Sequence, residues 1–311
     1  MVKAVRLHDH DSPPRVDDVD LPEPAGEEVR VELAFAGVNP VDTYVAQGRV
    51  AADGPLPRTL GGEASGHLGA EPVLVSGAGL GSTRDGVWAG AATVPRAAVV
   101  PLPDGIDLRE AAALGVAGLT AWYTVHLAEV RSDDRVLVLG ASGGVGLPTV
   151  SLARSLGATV WGQTGSAGKA EAIRAQGASD VVVADATALG EAVAEFAPTV
   201  VIDGLGGDFT PAAVSAMAAY GRLVLFGTSA GSASAMELQP VYRKSLRIVG
   251  FGGLILSDDE RRSALGEAMR AVAEGRMRIP IDRTLPMERV DEAFRLLADR
   301  SVTGKVVLDL T

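Results

Sequence analysis

The chain has 311 residues, enough for two domains, and its 47% hydrophobic and 22% charged composition is that of a globular protein rather than a disordered one. A formal net charge of −11, with no concentrated basic run visible, argues against a nucleic-acid binder. The absence of cysteine excludes disulfides, thiolate nucleophiles and every zinc site built on sulfur, and it fits a reducing cytoplasm.

The opening segment, MVKAVRLHDHDSPPRVDDVD, has no apolar core after its basic residue and does not read as a signal peptide, so the expected location is cytoplasmic. Short strand-like runs follow, broken by Pro and Gly: KAVRL, EEVRVELAFAG, PVLVSGAG, AATVP and AVVPLPDG. Their spacing predicts a compact, mostly antiparallel β domain. The uncharged stretch from Ala111 to Ala128 is nearly long enough to cross a bilayer, but it holds Gly115, Gly118, Trp122, Tyr123 and His126 between acidic flanks. It reads as a helix buried between domains, with no membrane partner.

From Arg135 the rhythm changes. The runs RVLVLG, ATVWGQT, DVVVAD, TVVIDG, RLVLFG and LRIVGF are β-branched and apolar on both faces, as strands of a covered parallel sheet are. Helical spacing at Val145–Leu156, Gly168–Gln176 and Ala186–Phe196 alternates with them, which predicts an α/β, doubly wound domain. Beyond Phe251 lies the helical SDDERRSALGEAMRAVAEG, with Ser257 as its N-cap, and then a return segment expected to rejoin the first domain. The expected division is 1–117 with 275–311, and 118–274.

The segment RVLVLGASGGVG, Arg135 to Gly146, joins a buried strand to the amphipathic helix LPTVSLARSLG. A diphosphate needs that order. The bare backbone at Gly143 and Gly144 lets it approach, the first helical N–H groups face it, and Gly146 lets helix and strand pack closely. Ala141 stands where the usual dinucleotide fingerprint has its first glycine. At the end of the next strand, a reader of NAD carries a carboxylate for the ribose 2′-hydroxyl. This chain has Gly162, Gln163 and Thr164, then Ser166 and Lys169, a hydroxyl and an ammonium suited to the 2′-phosphate of NADPH.

The order of these motifs resembles the medium-chain dehydrogenase/reductase superfamily, in its zinc-free quinone oxidoreductase branch, which includes zeta-crystallin. The resemblance runs nearly end to end, through EEVRVELAFAGVNPVDTYVAQG, LGGEASG, AAALGVAGLTAWYTV, GASGGVG and TGKVVLDL. It implies a GroES-like β-rich substrate domain, a Rossmann domain, NADPH between them, and a homodimer joined near Leu246–Phe251. It also implies that Asn39 and Tyr44 line the nicotinamide and substrate pocket and that Thr120 approaches the nicotinamide. Ser142, Gly143, Gly144 and Val145 would hold the diphosphate, with Gly146 behind them, and Ser166 and Lys169 the 2′-phosphate. Gly227, Phe251, Gly252 and Gly253 would border the nicotinamide half. Two departures stand out. The chain between Gly66 and Trp88 is shorter than the family pattern, and QGRVAADG has Arg49 and Val50, where related enoyl-thioester reductases carry a proton-donating tyrosine.

His67 lies near Glu63, but two such residues do not complete a three-ligand catalytic site, and His8, His10 and His126 are assigned no chemistry. Without a metal the acceptor must already be electron-poor, a quinone or a C=C bond conjugated to a carbonyl. Tyr44 is then the candidate to hydrogen-bond the developing oxyanion or relay a proton, with Asn39 positioning cofactor or substrate. Asp203, at a strand end, is expected to orient the turn after it. The alternatives are a non-catalytic NADPH-binding dimer and a zinc-free enoyl or alcohol-type reductase of a biosynthetic pathway.

Overall fold

The computed structural model describes all 311 residues and divides into two compact units. The first comprises Met1–Leu119, Leu254–Ala273 and Ile279–Thr311, and the second Thr120–Gly253 with Glu274–Arg278.

The first unit is built on antiparallel strands. Glu28–Val38 is its spine, pairing with Glu63–Leu68, Ala91–Pro95 and the C-terminal strand Lys305–Asp309. The segment Ile279–Thr311 thus lies in the first unit. A smaller sheet pairs Val2–Leu7 with Arg15–Val19 and Arg58–Thr59. Alternating Val31, Leu33, Val73, Val75, Val306 and Leu308 face one apolar core that also takes Trp88.

In the second unit six parallel strands stand in the order 180–183, 159–164, 135–139, 200–203, 222–225, 247–250. In sequence order this is 3-2-1-4-5-6, the doubly wound arrangement, and all six runs expected to be strands take part. Leu137, Leu139, Val201 and Leu223 pack against Leu189, Ala213 and Val214 on the flanking helices. The mixed α/β class with a β-rich first unit and a Rossmann sheet holds.

Three expectations are revised. The stretch 111–128 is not one helix: it is the end of a short helix Leu108–Ala111, a π-helical turn Leu114–Gly118 and a helix Leu119–Leu127. The glycine at 115 belongs to that break, since a Cβ there would lie 2.9 Å from Glu63 Cβ. The helix expected over 186–196 ends at Ala192. The division also differs from 117/118 and 274/275, because the helix Asp258–Ala273 groups with the first unit. Its buried face of Ala264, Leu265, Ala268, Met269 and Val272 packs toward Leu114–Gly118 and Val99–Pro101. Ser257 caps it as expected: its hydroxyl accepts the Glu260 N–H at 3.3 Å while its own N–H donates to the Glu260 carboxylate at 2.9 Å. No helix is long and apolar enough to cross a membrane.

Candidate functional site

In the second unit the strand Arg135–Leu139 is buried and lies between strands 159–164 and 200–203, where the strand order reverses. Ligands of open α/β sheets bind outside the carboxyl ends of the strands at such a reversal. The turn there is tight. Gly140 has φ +64°, in the left-handed region that favours glycine, and its carbonyl accepts the Gly143 N–H at 3.0 Å. A Cβ on Gly146 would lie 2.5 Å from that carbonyl oxygen and 2.6 Å from Ala141 Cα, so only glycine lets the helix Gly146–Ser155 start this close to the strand. The N–H groups of Ser142 and Val145 meet no acceptor within the chain. Oriented donors ahead of a helix start are the chemistry of an anion cradle.

The adjacent strand holds this turn in shape. Gln163, buried, accepts the Gly140 N–H at 3.0 Å through Oε1 and donates from Nε2 to Ala184 O at 2.7 Å. Its backbone carbonyl takes the Ala141 N–H at 2.8 Å. In the sequence Gln163 stands out only for not being a carboxylate; the signal of its role is an amide inside an otherwise apolar strand. Thr164 Oγ1 lies 3.4 Å from Ser142 Oγ. Beyond the strand, Ser166 is exposed and makes no side-chain cap to the short turn Ala167–Lys169, and Lys169 is half-buried. No Asp or Glu occurs between Thr159 and Ala170.

Because the strands are parallel, their carboxyl ends share one edge of the sheet. Residues 142–146, Ser166, Gly227 and Phe251–Gly253 all follow such ends. Phe251 N donates to Leu225 O at 2.8 Å, and its ring stacks on Tyr123 with centroids 4.7 Å apart. Gly227 is packed so closely that a Cβ would lie 2.8 Å from Gly204 O. Thr120 is buried in the first turn of helix Leu119–Leu127, where its carbonyl accepts the Thr124 hydroxyl. Asp203 orients its turn, accepting from Leu205 and Gly206 N–H at 2.8 and 3.0 Å and from the Thr210 hydroxyl at 2.6 Å.

Asn39 and Tyr44 belong to the first unit, Asn39 as the N-cap of helix Pro40–Ala46 and Tyr44 within it. Tyr44 is half-buried, its ring 4.6 Å from the Arg49 guanidinium. Asn39 is buried and both ends of its amide are engaged: Nδ2 donates to Glu63 Oε1 at 2.6 Å and Oδ1 accepts from Lys305 Nζ at 2.5 Å. Its N–H donates to Asp42 at 2.7 Å. Burial pushes the Asp42 carboxyl up to about 7, with the Glu63 charge adding to the rise and the Asn39 N–H and Lys305 opposing it. In the sequence Glu63, Asp42 and Lys305 lie within the motifs that carry the resemblance, but nothing local joins segments so far apart along the chain.

A family profile described as zinc-binding dehydrogenase matches residues 176–308. The residues present do not accommodate that metal. No three His, Cys, Asp or Glu side chains converge, and the Glu63 carboxylate is filled by Asn39, Lys305 and the Val116 N–H.

Among curated proteins, the chain is 30% identical over 99% of its length to a phenolphthiocerol/phthiocerol polyketide synthase polypeptide of Mycobacterium tuberculosis, of which it spans only 15%. It is 29% identical to the quinone oxidoreductase of Pseudomonas aeruginosa, covering 92% of each chain. Among solved structures, the quinone oxidoreductase of Thermus thermophilus, described with its NADPH complex, superimposes with a TM-score of 0.84 at 27% identity, covering 99% of this chain and 100% of that one. The two-unit fold is the one this quinone oxidoreductase neighbour shares. These likenesses support the resemblance to the quinone oxidoreductase branch of the medium-chain dehydrogenase/reductase superfamily.

Proposed function

We propose that the chain transfers hydride from NADPH to a quinone or to a C=C bond conjugated to a carbonyl, without a metal. The observation that carries this reading is the turn 140–146 at the reversal of a 3-2-1-4-5-6 sheet, with Ser142 and Val145 amides that meet no acceptor within the chain and no carboxylate at the end of the second strand. Ser142–Val145 would hold the diphosphate, and Ser166 with Lys169 the 2′-phosphate, which a carboxylate there would repel.

NADPH, when bound, supplies the hydride. The chain's part is orientation and charge stabilisation. As hydride reaches the acceptor, negative charge grows on its oxygen, and a hydrogen bond from the Tyr44 hydroxyl lowers that charge's energy. The proton that completes the reduction comes from Tyr44 or solvent, so one NADPH and one proton yield the reduced acceptor and the oxidised cofactor. Thr120, Gly227 and Phe251–Gly253 are assigned to the nicotinamide half.

We further propose that the reaction partner is a small molecule and that two copies of the chain pair through the strand Arg247–Gly250. That strand is a sheet edge with unpaired backbone groups, and Ile248 on it is exposed. The proposed setting is the cytoplasm.

The similarity to a polyketide synthase segment over 99% of the chain favours one second reading, an acceptor carried as an enoyl thioester. Against it, position 49 is an arginine packed on Tyr44 rather than a second tyrosine. Both are tested by following NADPH oxidation with a panel of quinones, enones and enoyl thioesters. Turnover of quinones or enones supports the first reading, and turnover of thioesters alone supports the second. Tight NADPH binding with no turnover on any acceptor would overturn both in favour of a non-catalytic binding dimer.

A further inference from the structure

The helix Pro40–Ala46, which carries Tyr44, starts on a set of side chains drawn from distant parts of the first unit. Lys305, 3% exposed, has three ammonium protons and three acceptors: Val38 O at 3.1 Å, Asn39 Oδ1 at 2.5 Å and Glu63 Oε1 at 2.9 Å. Glu63 has no exposed surface. Its Oε1 also accepts from Asn39 Nδ2 at 2.6 Å, and its Oε2 accepts from Val116 N at 2.8 Å. Gly37 leaves room for this carboxylate, since a Cβ there would sit 2.2 Å from Glu63 Oε1.

The arrangement is costly as mere stabilisation. A buried ion pair seldom outperforms apolar side chains of the same volume, although losing one partner strands the other's charge. What an ammonium with three fixed acceptors does provide is direction. It ties the last residue of strand 28–38, the N-cap of the Tyr44 helix and, through Glu63, the π-helical turn 114–118 to the C-terminal strand.

We propose that Lys305 is a positioning residue for the reduction: acting through Asn39 and Glu63, it fixes the start of helix 40–46 and so the direction of the Tyr44 side chain. This rests on the proposed role of Tyr44, but its geometric half does not. The pattern TGKVVLDL therefore holds, in its lysine, a functional residue at the far end of the chain from the one it serves.

The test uses the full-length chain and two variants, Lys305→Met and the charge-neutral pair Glu63→Gln/Lys305→Met. The double variant removes the ammonium together with the carboxylate it pairs with, so it keeps the experiment decisive if the single variant fails to fold. Amide hydrogen exchange is followed by peptide. With melting restored in the double variant, we expect exchange of residues 38–48 to remain at least about 10-fold faster than in the parent, with the second unit unchanged. With an acceptor that the parent reduces, kcat of the double variant falls about 100-fold while KM for NADPH stays within about twofold, the signature of lost orientation. Parent-like exchange in 38–48 would overturn the proposal, as would parent-like kcat in a stable double variant. A parent that reduces no acceptor would sink the functional reading and leave the exchange result to decide Lys305's hold on the helix.

Discussion

Gln163 Oε1 lies 3.0 Å from the amide nitrogen of Gly140, so the second strand of the nucleotide sheet holds the turn that follows the first. The two residues stand 23 positions apart, and the bond closes where the chain leaves its strand for the turn. Gln163→Leu would keep the volume while leaving the Gly140 N–H and the Ala184 carbonyl without partners. Two unsatisfied buried groups predict a loss of roughly 2–4 kcal/mol in urea unfolding. NADPH affinity should fall with it, because the donors ahead of the helix lose their fixed direction.

The glycines of the turn separate by role. At Gly146 an added Cβ meets backbone atoms at 2.5 and 2.6 Å, so Gly146→Ala should destabilise the fold by about 1–3 kcal/mol. At Gly143 the nearest atom is Gly140 O at 3.3 Å, which a small shift accommodates. Gly143→Ala should therefore melt near the parent while binding NADPH at least about 10-fold more weakly, because its methyl stands where the diphosphate approaches. Calorimetry and NADPH titration of both variants check the contrast.

Lys169→Ala should weaken NADPH at least about 10-fold and leave NADH within about twofold, since only NADPH offers a 2′-phosphate to an ammonium. Paired fluorescence titrations read this directly. Equal losses for both cofactors would remove Lys169 and Ser166 from the cofactor site.

Asp42 gives a pH prediction. Its carboxyl is pushed from 3.8 up to about 7, chiefly by burial. Between those values the folded chain keeps a proton that the unfolded chain has released, so this group's contribution to stability declines as pH rises through the window. Asp42→Asn still accepts the Asn39 N–H but carries no charge to bury. It should be more stable than the parent above pH about 7, by on the order of 4 kcal/mol, with the gap closing toward pH about 4. Urea unfolding across that range measures it, and a pH-independent gap would contradict the assignment.

Much of the fold was legible in the sequence because its signals are local. Six doubly apolar runs became six parallel strands, and Gly143-x-x-Gly146 marked the turn between the first strand and its helix. The break at Leu114–Gly118 was not legible, because uniform apolarity over 111–128 hides where a π turn interrupts a helix. Nor was the grouping of helix 258–273, whose amphipathic pattern states that one face is buried but not against which unit. The residues proposed for the cofactor rest on motif and register alone. The contacts of Asn39 could not be read that way: its engagement with Glu63 and Lys305 arises from strand pairing of Val306 with Val38, between segments more than 260 residues apart.

The central claim is that the free amides of the turn 142–145, those of Ser142 and Val145 among them, grip the diphosphate of NADPH, and a crystal structure of the chain grown with NADPH measures it most directly. The account predicts diphosphate oxygens within hydrogen-bond distance of those amides, the 2′-phosphate beside Ser166 and Lys169, and the nicotinamide toward Phe251–Gly253. A dinucleotide seated elsewhere, or a turn left bare at saturating NADPH, would contradict it.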